Sequence, residues 1–389
     1  MTMTAIDLFA GCGGFSLGFS QAGFHVRTAV EIDPDTAETY RKNHADTHII
    51  VDDIRNVDNF QKGDSDIIIG GPPCQGFSMA GARIRAGFVD DSRNYLFRRY
   101  VDTVSIVRPR MFFIENVKGL CTFRNGTVLE EIVGRFSALT PPYHVYPRLV
   151  NAQDFGIPQK RERLLLIGTA HPIKDIDALW VRTRADLLAE DVHYFDYASV
   201  WDAIGNLPPA AWNGTVPNPP PRSHYQQSLA TANPVLHNHT RSRHSALAVD
   251  RMRRVGNGQD ASALNEPINS IYGGAYGRLC WDRPAPTITT RFDTPAAGRF
   301  THPDENRTLT PREAARIQSF PDSYVFYGKR TSVCRQIGNA VPPKISYFLA
   351  RFARTILSAD SSGYFQRGAV SCGLPKELEV SQNERAIFL

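Results

Sequence analysis

The sequence predicts an α/β chain built on a doubly wound, mostly parallel sheet, with a smaller and irregular region carried by its second half. Three observations predict it. Short runs of Ile, Val, Leu and Phe recur between residues 5 and 168, and segments of helical spacing separate them. The runs end abruptly in glycine or in an acid, as buried strands do where their far edge carries a ligand site. After about Ala170 the alternation fades, and Pro208-Pro209 and the stretch Pro-Asn-Pro-Pro-Pro-Arg at 217–222 mark stiff connections.

Ala5-Ile6-Asp7-Leu8-Phe9-Ala10 reads as the first strand, and Gly11-Cys12-Gly13-Gly14 turns it into the amphipathic stretch 15–24. Glycine lets the backbone bend tightly and approach a ligand, and the helix after it offers free N–H groups to an anion. A second run, 26–32, carries Glu31 about 20 residues on, where nucleotide-binding α/β folds place the acid that grips a ribose. Residues 49–54 form a third strand with Asp52 and Asp53 at its end. The fourth, Asp66 to Ile69, stops at Gly70-Gly71-Pro72-Pro73, so Cys74 sits in a stiff loop at a strand's end, with Gln75-Gly76-Phe77-Ser78 behind it. Residues 79–96 include Arg83, Arg85 and Arg93 and two glycines without a period, which suits a loop that closes over substrate phosphates. A fifth strand from Arg110 to Ile114 delivers Glu115-Asn116-Val117, and a carboxylate there is costly unless it is paired or used. Arg148 to Val150 and the run ending at Gly168 read as two final strands joined by a basic turn, in which Gln159, Arg161 and Arg163 point to one side.

In the second half, Arg222 to Arg254 holds six arginines against one acid, Asp250, and reads as a local patch that touches phosphates. His224, His237, His239 and His244 lie in it without a nearby Cys, so no metal site is expected. Thr310 reads as a helix N-cap, with Pro311 at the first helical position, Glu313 closing a capping box and Pro321 as the stop. Ile345, Phe348, Leu349, Phe352 and Ile356 are spaced as one face of a last helix, and residues 359–389 read as a loosely ordered tail. At 389 residues and 42% hydrophobic content the chain can bury a full core, and a net charge of +5 permits a polyanionic partner without demanding one. The six cysteines, no two closer than 38 residues, exclude a Cys-x-x-Cys zinc pair and suit a reducing cytoplasm. No apolar run approaches the roughly 18 residues of a membrane span. A soluble, monomeric, cytoplasmic protein is expected.

Two stretches carry a resemblance. Pro-Pro-Cys-Gln at 72–75, with Gly-Phe-Ser behind it, resembles the nucleophile loop of the DNA (cytosine-5)-methyltransferases. Asp-Leu-Phe-Ala-Gly-Cys-Gly-Gly at 7–14 resembles the S-adenosylmethionine loop of the same family. Further motifs follow in the family's order: Glu31, Asp53, Glu115-Asn116-Val117, the Gln-x-Arg-x-Arg of 159–163, the Thr310 helix and Gly338-Asn339. The resemblance implies a Rossmann-like, S-adenosylmethionine-dependent catalytic domain over 1–172 and 330–358, interrupted by a target-recognition domain at 173–329. It implies Cys74 as nucleophile, with Glu115, Arg161 and Arg163 as the other catalytic residues. For S-adenosylmethionine, and its product S-adenosylhomocysteine, it implies contacts from Asp7, Phe9, Gly11, Gly13, Gly14, Glu31, Asp53, Pro73 and Asn339. For double-stranded DNA it implies Gln75, Ser78, Arg83, Arg85 and Gln159, to which the basic patch adds Arg241, Arg243, Arg251, Arg253 and Arg254. The role expected is modification in a restriction-modification system, with any cognate endonuclease on a separate chain. A subgroup of the family acts on transfer RNA through the same cysteine loop, and a methyltransferase-like DNA-binding protein without turnover is a third reading. The Gly-Phe-Ser continuation, the long variable region and the presence of Cys74, Glu115, Arg161 and Arg163 favour the bacterial, DNA-modifying kind.

Overall fold

The computed structural model describes residues 2–73, 96–268 and 270–359. Seven strands form one sheet: β1 Thr4–Leu8, β2 His25–Glu31, β3 His48–Val51, β4 Ile67–Gly70, β5 Met111–Val117, β6 His144–Asn151 and, after the two-residue strand β7 Gln159–Lys160, β8 Glu162–Thr169. Their order is β3-β2-β1-β4-β5-β8-β6. Neighbours run parallel from β3 to β5, and β8 is antiparallel to both β5 and β6. The expected mostly parallel, doubly wound sheet is therefore present.

Both faces of the central strands are covered, which is why their sequences are continuous apolar runs rather than alternating ones. Successive side chains go to opposite faces. Ile67, Ile69, Met111 and Phe113 pack on one side with the helices Gly14–Gln21, Ile176–Glu190 and Pro343–Ala359. Ile68, Phe112 and Ile114 pack on the other with Phe97–Val107 and Thr127–Ser137. Ile345, Phe348, Leu349, Phe352 and Ile356 are all buried, and each such side chain contributes about 1.5–3 kcal/mol. This last helix crosses Gly14–Gln21 so closely that a Cβ on Gly18 would lie 2.3 Å from the Tyr347 nitrogen. The helix Pro343–Ala359 thus clamps the helix that follows the first glycine-rich turn.

Strand order reverses at β1, where Leu8 pairs with Val30 on one side and Gly70 on the other. The crevice of a doubly wound sheet opens at such a point, beyond the carboxyl ends of the strands.

From about Ala198 the character changes. The only ladders among the described residues of this half are two residues long: β9 Val216–Pro217 with β10 Val235–Leu236, and β11 Ala285–Pro286 with β7. One apolar cluster gathers Val200, Ile204, Tyr225, Ile288, Phe320, Tyr324 and Ile337 around Cys12, and a small one gathers Met252, Val255, Leu264 and Tyr276. Thr310 and Glu313 form the expected capping box on the helix Pro311–Ile317. Past the boundary expected at residue 173, Leu179, Trp180 and Leu187 of the next helix lie in the sheet's own core, and the packing changes nearer Ala198. From residue 360 the expected tail lies outside the described residues.

Candidate active site

The strand ends of the sheet line up the predicted residues along one edge. Asp53 follows β3, Glu31 ends β2, the Phe9–Gly14 turn follows β1, Gly71-Pro72-Pro73 follows β4, and Glu115 lies near the end of β5. Because β8 runs antiparallel, its first residues reach the same edge, and Arg163 pairs with Val117. Sheet topology alone thus converts six stretches far apart in sequence into neighbours.

At the end of β4 a side chain on Gly70 would place its Cβ 2.2 Å from the Leu8 carbonyl oxygen, so close pairing with β1 requires glycine there. The stem beyond it is tied to β5: Asn116 Nδ2 donates to the Pro72 carbonyl at 3.2 Å, and a Cβ on Gly71 would stand 3.9 Å from Glu115 Oε2. Cys74, Gln75, Ser78, Arg83 and Arg85 lie outside the described residues. The stem is placed up to Pro73, which is partly exposed.

Glu115 is buried and faces two guanidinium groups. Arg163 Nε stands 2.9 Å from its Oε1 as an ion pair without hydrogen-bond alignment, and an Arg161 terminal nitrogen stands 4.0 Å from the same atom. The two arginines do different things. Arg163 keeps part of its side chain accessible. Arg161, expected among the catalytic residues, is fully buried and donates to the carbonyls of Gly338 (3.1 Å), Ala340 (3.0 Å) and Ile288 (3.4 Å). Burial, with Arg163 beside it, pushes its guanidinium down to about 9. It braces the sheet edge against the later chain.

Gln159, expected as a DNA contact, is held in the interior. It is fully buried, its amide nitrogen donates to Gln318 Oε1 at 2.8 Å, and its oxygen accepts from the Ile288 nitrogen at 2.8 Å. Alternation does put 159, 161 and 163 on one side, but for the first two that side faces the interior.

On the other flank, Glu31 accepts from the backbone nitrogens of Gly11 (2.9 Å) and Asp33 (2.8 Å), which hold its carboxylate against the turn. Burial raises its pKa, and these N–H groups oppose the rise. The helix Gly14–Gln21 starts from Gly13 without a side-chain cap, so its first N–H groups meet no capping oxygen. Phe9 is partly exposed above them, and Ile32, next to Glu31, is 62% exposed. Sequence reasoning missed Ile32, because an isoleucine closing an apolar run reads as core. Asp7 is buried beneath the turn; it accepts from Ser16 Oγ at 2.6 Å, its Oδ1 has no partner, and burial pushes its carboxyl up to about 7. Asp53 caps the short helix Ile54–Asn56 through the Arg55 nitrogen and pairs with the Arg55 side chain at 2.6 Å. Asn339 is exposed, two residues before Val341, whose carbonyl oxygen lies 2.3 Å from where a Gly14 Cβ would be.

Residues 3–353 match the family model of the C-5 cytosine-specific DNA methylases. The chain belongs to that family. Among its relatives, the type II methyltransferase M1.HphI of Haemophilus parahaemolyticus is 36% identical over 358 residues, spanning 90% of this chain and 86% of that protein. The type II methyltransferase M.DdeI of Desulfomicrobium norvegicum is also 36% identical, over 381 residues, with 90% and 88% covered. A crystal structure of an E. coli prophage protein, described as a candidate DNA modification methyltransferase, superposes with a TM-score of 0.70 at 26% identity over 92% of this chain and all of that one. The protein is thus a DNA (cytosine-5)-methyltransferase of the kind found in type II restriction-modification systems.

For such a methylase the basic patch is the expected DNA face, and its arginines differ in availability. Arg241 donates to the Ala210 carbonyl, pairs with Glu305 at 3.3 Å and lies over the exposed Trp212 ring. Arg251 and Arg254 share Glu266, and Arg253 and Arg254 share Asp250. Arg243 is exposed and has no ion pair among the described residues. In the same half Arg278, Arg307, Arg312 and Arg316 are buried, and the sequence offered no sign of it, because arginine usually reads as surface. No group of three potential ligands among the described residues is placed to hold a metal ion, and no described helix is long and apolar enough to cross a membrane.

Proposed function

We propose that this methylase modifies carbon 5 of a cytosine turned out of duplex DNA, with Cys74 as the covalent nucleophile, as the modification partner of an endonuclease on another chain. The observation that carries this reading is the single sheet edge on which Glu31, the Phe9–Gly14 turn, the stem leading to Cys74 and the Glu115–Arg163 pair stand side by side.

The residues suit S-adenosylmethionine: uncapped helix N–H groups for its carboxylate, the Glu31 carboxylate for ribose hydroxyls, and Phe9 and Ile32 as apolar walls for the adenine. Asp53 and Asn339 would reach its periphery. When bound, it supplies an electrophilic methyl group. Carbon 5 of cytosine is too electron-poor to attack such a group unaided, so the ring must first be loaded at carbon 6. Cys74 as a thiolate forms that bond, and it leaves readily later. Charge then spreads toward N3 and O2, where Glu115 and Arg163 stabilise it. Once carbon 5 carries the methyl group, loss of its proton expels Cys74 and restores the ring. A stacked base cannot reach Cys74, so the cytosine must leave the duplex.

Cys74→Ser should abolish transfer of labelled methyl groups to duplex DNA while S-adenosylhomocysteine still binds. A duplex with 5-fluorocytosine at the target should trap the wild type covalently, since fluorine cannot leave as a proton does. Turnover by Cys74→Ser, or methyl transfer to transfer RNA in place of DNA, sinks the reading.

A further inference from the structure

The turn before Gly14–Gln21 is held in part by residues from near the chain's end. Phe9, Gly11 and Gly13 all have positive φ (60°, 57° and 91°), and for Phe9 that conformation is strained. Such a turn persists only where its surroundings fix it. Some of the fixing is local: the Ala10 nitrogen donates to the Val30 carbonyl (2.9 Å) and the Gly13 nitrogen to the Ala10 carbonyl (3.0 Å). The rest is distant. The Tyr324 hydroxyl donates to the Cys12 carbonyl, and Cys12 Sγ stands 3.5 Å from the Gln336 carbonyl oxygen.

Behind the hydroxyl stands His44. Its Nε2 is 3.0 Å from Tyr324 Oη, and its ring stacks on Tyr40 with centroids 4.4 Å apart. Because the Tyr324 proton goes to Cys12, the hydroxyl oxygen accepts from His44, which assigns the imidazole proton to Nε2. Burial pushes His44 down to about 4, consistent with a neutral ring. The fit against the turn is tight: a Cβ on Gly13 would lie 2.4 Å from His44 Nε2 and 2.9 Å from Tyr324 Oη. Tyr324, His44 and Tyr40 are all buried, so water does not compete for these bonds.

We propose that Tyr324, backed by His44, is a positioning residue for the cofactor: its hydroxyl holds the Cys12 carbonyl and keeps Gly11–Gly14 in the shape that receives S-adenosylmethionine. This rests on the reading of that turn as the cofactor site. Tyr324 follows the helix Pro311–Ile317, in the half assigned to target recognition, so the cofactor pocket is built by both halves of the molecule.

Tyr324→Phe keeps the ring against Phe320 and Phe326 and removes only the hydroxyl. With the Cys12 carbonyl left without its donor, S-adenosylhomocysteine affinity by titration calorimetry should fall about tenfold, with kcat at saturating S-adenosylmethionine changed less than about threefold. Amide hydrogens of residues 9–14 should exchange faster than in the wild type. His44→Phe, which keeps the stack on Tyr40, should weaken affinity in the same direction by about threefold. Tyr225→Phe is the control: that hydroxyl is equally buried and donates to the Arg316 carbonyl at 2.7 Å, but makes no bond to the turn. Glu31→Gln tests the underlying reading. Weaker binding in Glu31→Gln, Tyr324→Phe and His44→Phe, but not in Tyr225→Phe, supports the proposal. If Glu31→Gln weakens binding while Tyr324→Phe stays within about twofold of wild type, the proposal fails and the cofactor site stands. If Glu31→Gln leaves binding unchanged, both fall. Should Tyr324→Phe not fold, His44→Phe decides by the same comparison.

Discussion

The two halves of this methylase are held together by different chemistry. In the sheet half, backbone groups satisfy one another along ladders of four to eight residues, and apolar side chains fill both faces. Among the described residues of the second half the ladders are two residues long, and buried guanidinium groups supply the missing donors. Arg278 donates to the carbonyls of Val255 (2.8 Å), His302 (2.8 Å) and Glu305 (3.1 Å). Arg312 donates to those of His237 (3.0 Å), Pro321 (3.0 Å) and Tyr324 (2.5 Å). Arg316 grips both oxygens of Asp322 at 2.8 Å and reaches the Ala203 carbonyl. A loop can be buried only if its carbonyls find donors, and arginine carries five in one rigid plane. The lesson is that the arginine content of this half does not measure DNA contact. Arg312 even fixes the carbonyl of Tyr324, whose hydroxyl donates to the Cys12 carbonyl in the glycine-rich turn.

The contrast implies that damage at the sheet edge is chemical and damage in the second half is structural. Glu115→Gln should give the largest effect, a fall in kcat of about 10²–10³, with duplex affinity and unfolding free energy nearly unchanged, because in the proposed reaction the carboxyl acts on charge that develops only in the transition state. An unchanged kcat with lowered stability would make Glu115 an anchor for Arg163 instead.

Arg316→Met should act the opposite way. It leaves the buried Asp322 without its partner, which costs about 3–5 kcal/mol of stability by denaturant unfolding. The double replacement with Asp322→Leu should recover much of that loss. In the sheet half Ile69→Val, which removes one buried methyl group, should cost only about 0.5–1.5 kcal/mol. The comparison breaks if Arg316→Met proves as mild as Ile69→Val.

Asp7 is the exception inside the sheet half, a buried acid with one unpartnered oxygen. Its carboxyl is raised from an ordinary 3.8 to about 7, so the folded chain keeps a proton that the unfolded chain releases. The stability from that proton is fully present below about pH 4 and is lost as pH rises through about 7, a swing of order 4 kcal/mol at most. Asp7→Asn can still accept from Ser16 and should flatten this part of the stability curve, overtaking the wild type above about pH 7. An identical slope in the variant would mean that Asp7 is ionised in the fold.

What the sequence made legible follows the same divide. Ile67, Ile68 and Ile69 announce a strand buried on both faces, and local rules placed the Gly11–Gly14 turn and the Thr310–Glu313 capping box correctly, because each depends on residues a few positions apart. Gln159 and Arg161 show the limit: period two gives a shared side but not whether that side faces water. Arg316 and Tyr324 show a second limit. Their partners include Ala203 and Cys12, 113 and 312 residues away, and nothing local marks a polar side chain that will be buried by distant chain. Helix Ile176–Glu190 packs on the sheet although it lies past the expected boundary, since its apolar face finds the sheet only in three dimensions.

The smallest expected effects concern the patch on the helix Ala246–Arg254 and the residues just before it. Arg243 is exposed without an ion pair among the described residues, and Arg253 is exposed over 70% of its side chain and held only by a surface pair with Asp250, so either can approach a phosphate at little cost. Arg251 and Arg254 would first have to leave Glu266, and Arg251 also donates to the Tyr276 hydroxyl at 3.2 Å beside the small cluster of Met252, Val255 and Leu264. Arg243→Ala and Arg253→Ala should each weaken binding to all duplexes alike and flatten the dependence of log affinity on log salt by about one unit of slope. Arg251→Ala and Arg254→Ala should leave that slope unchanged and instead loosen the local fold, seen as faster amide exchange around Tyr276. A sequence-dependent loss on replacing Arg243 would make it a base contact, since arginine reads guanine in the major groove. If none of the four moves affinity, slope or preference, the patch is a solvated face, and the methylase reads its target with another part of the half that its buried arginines hold together.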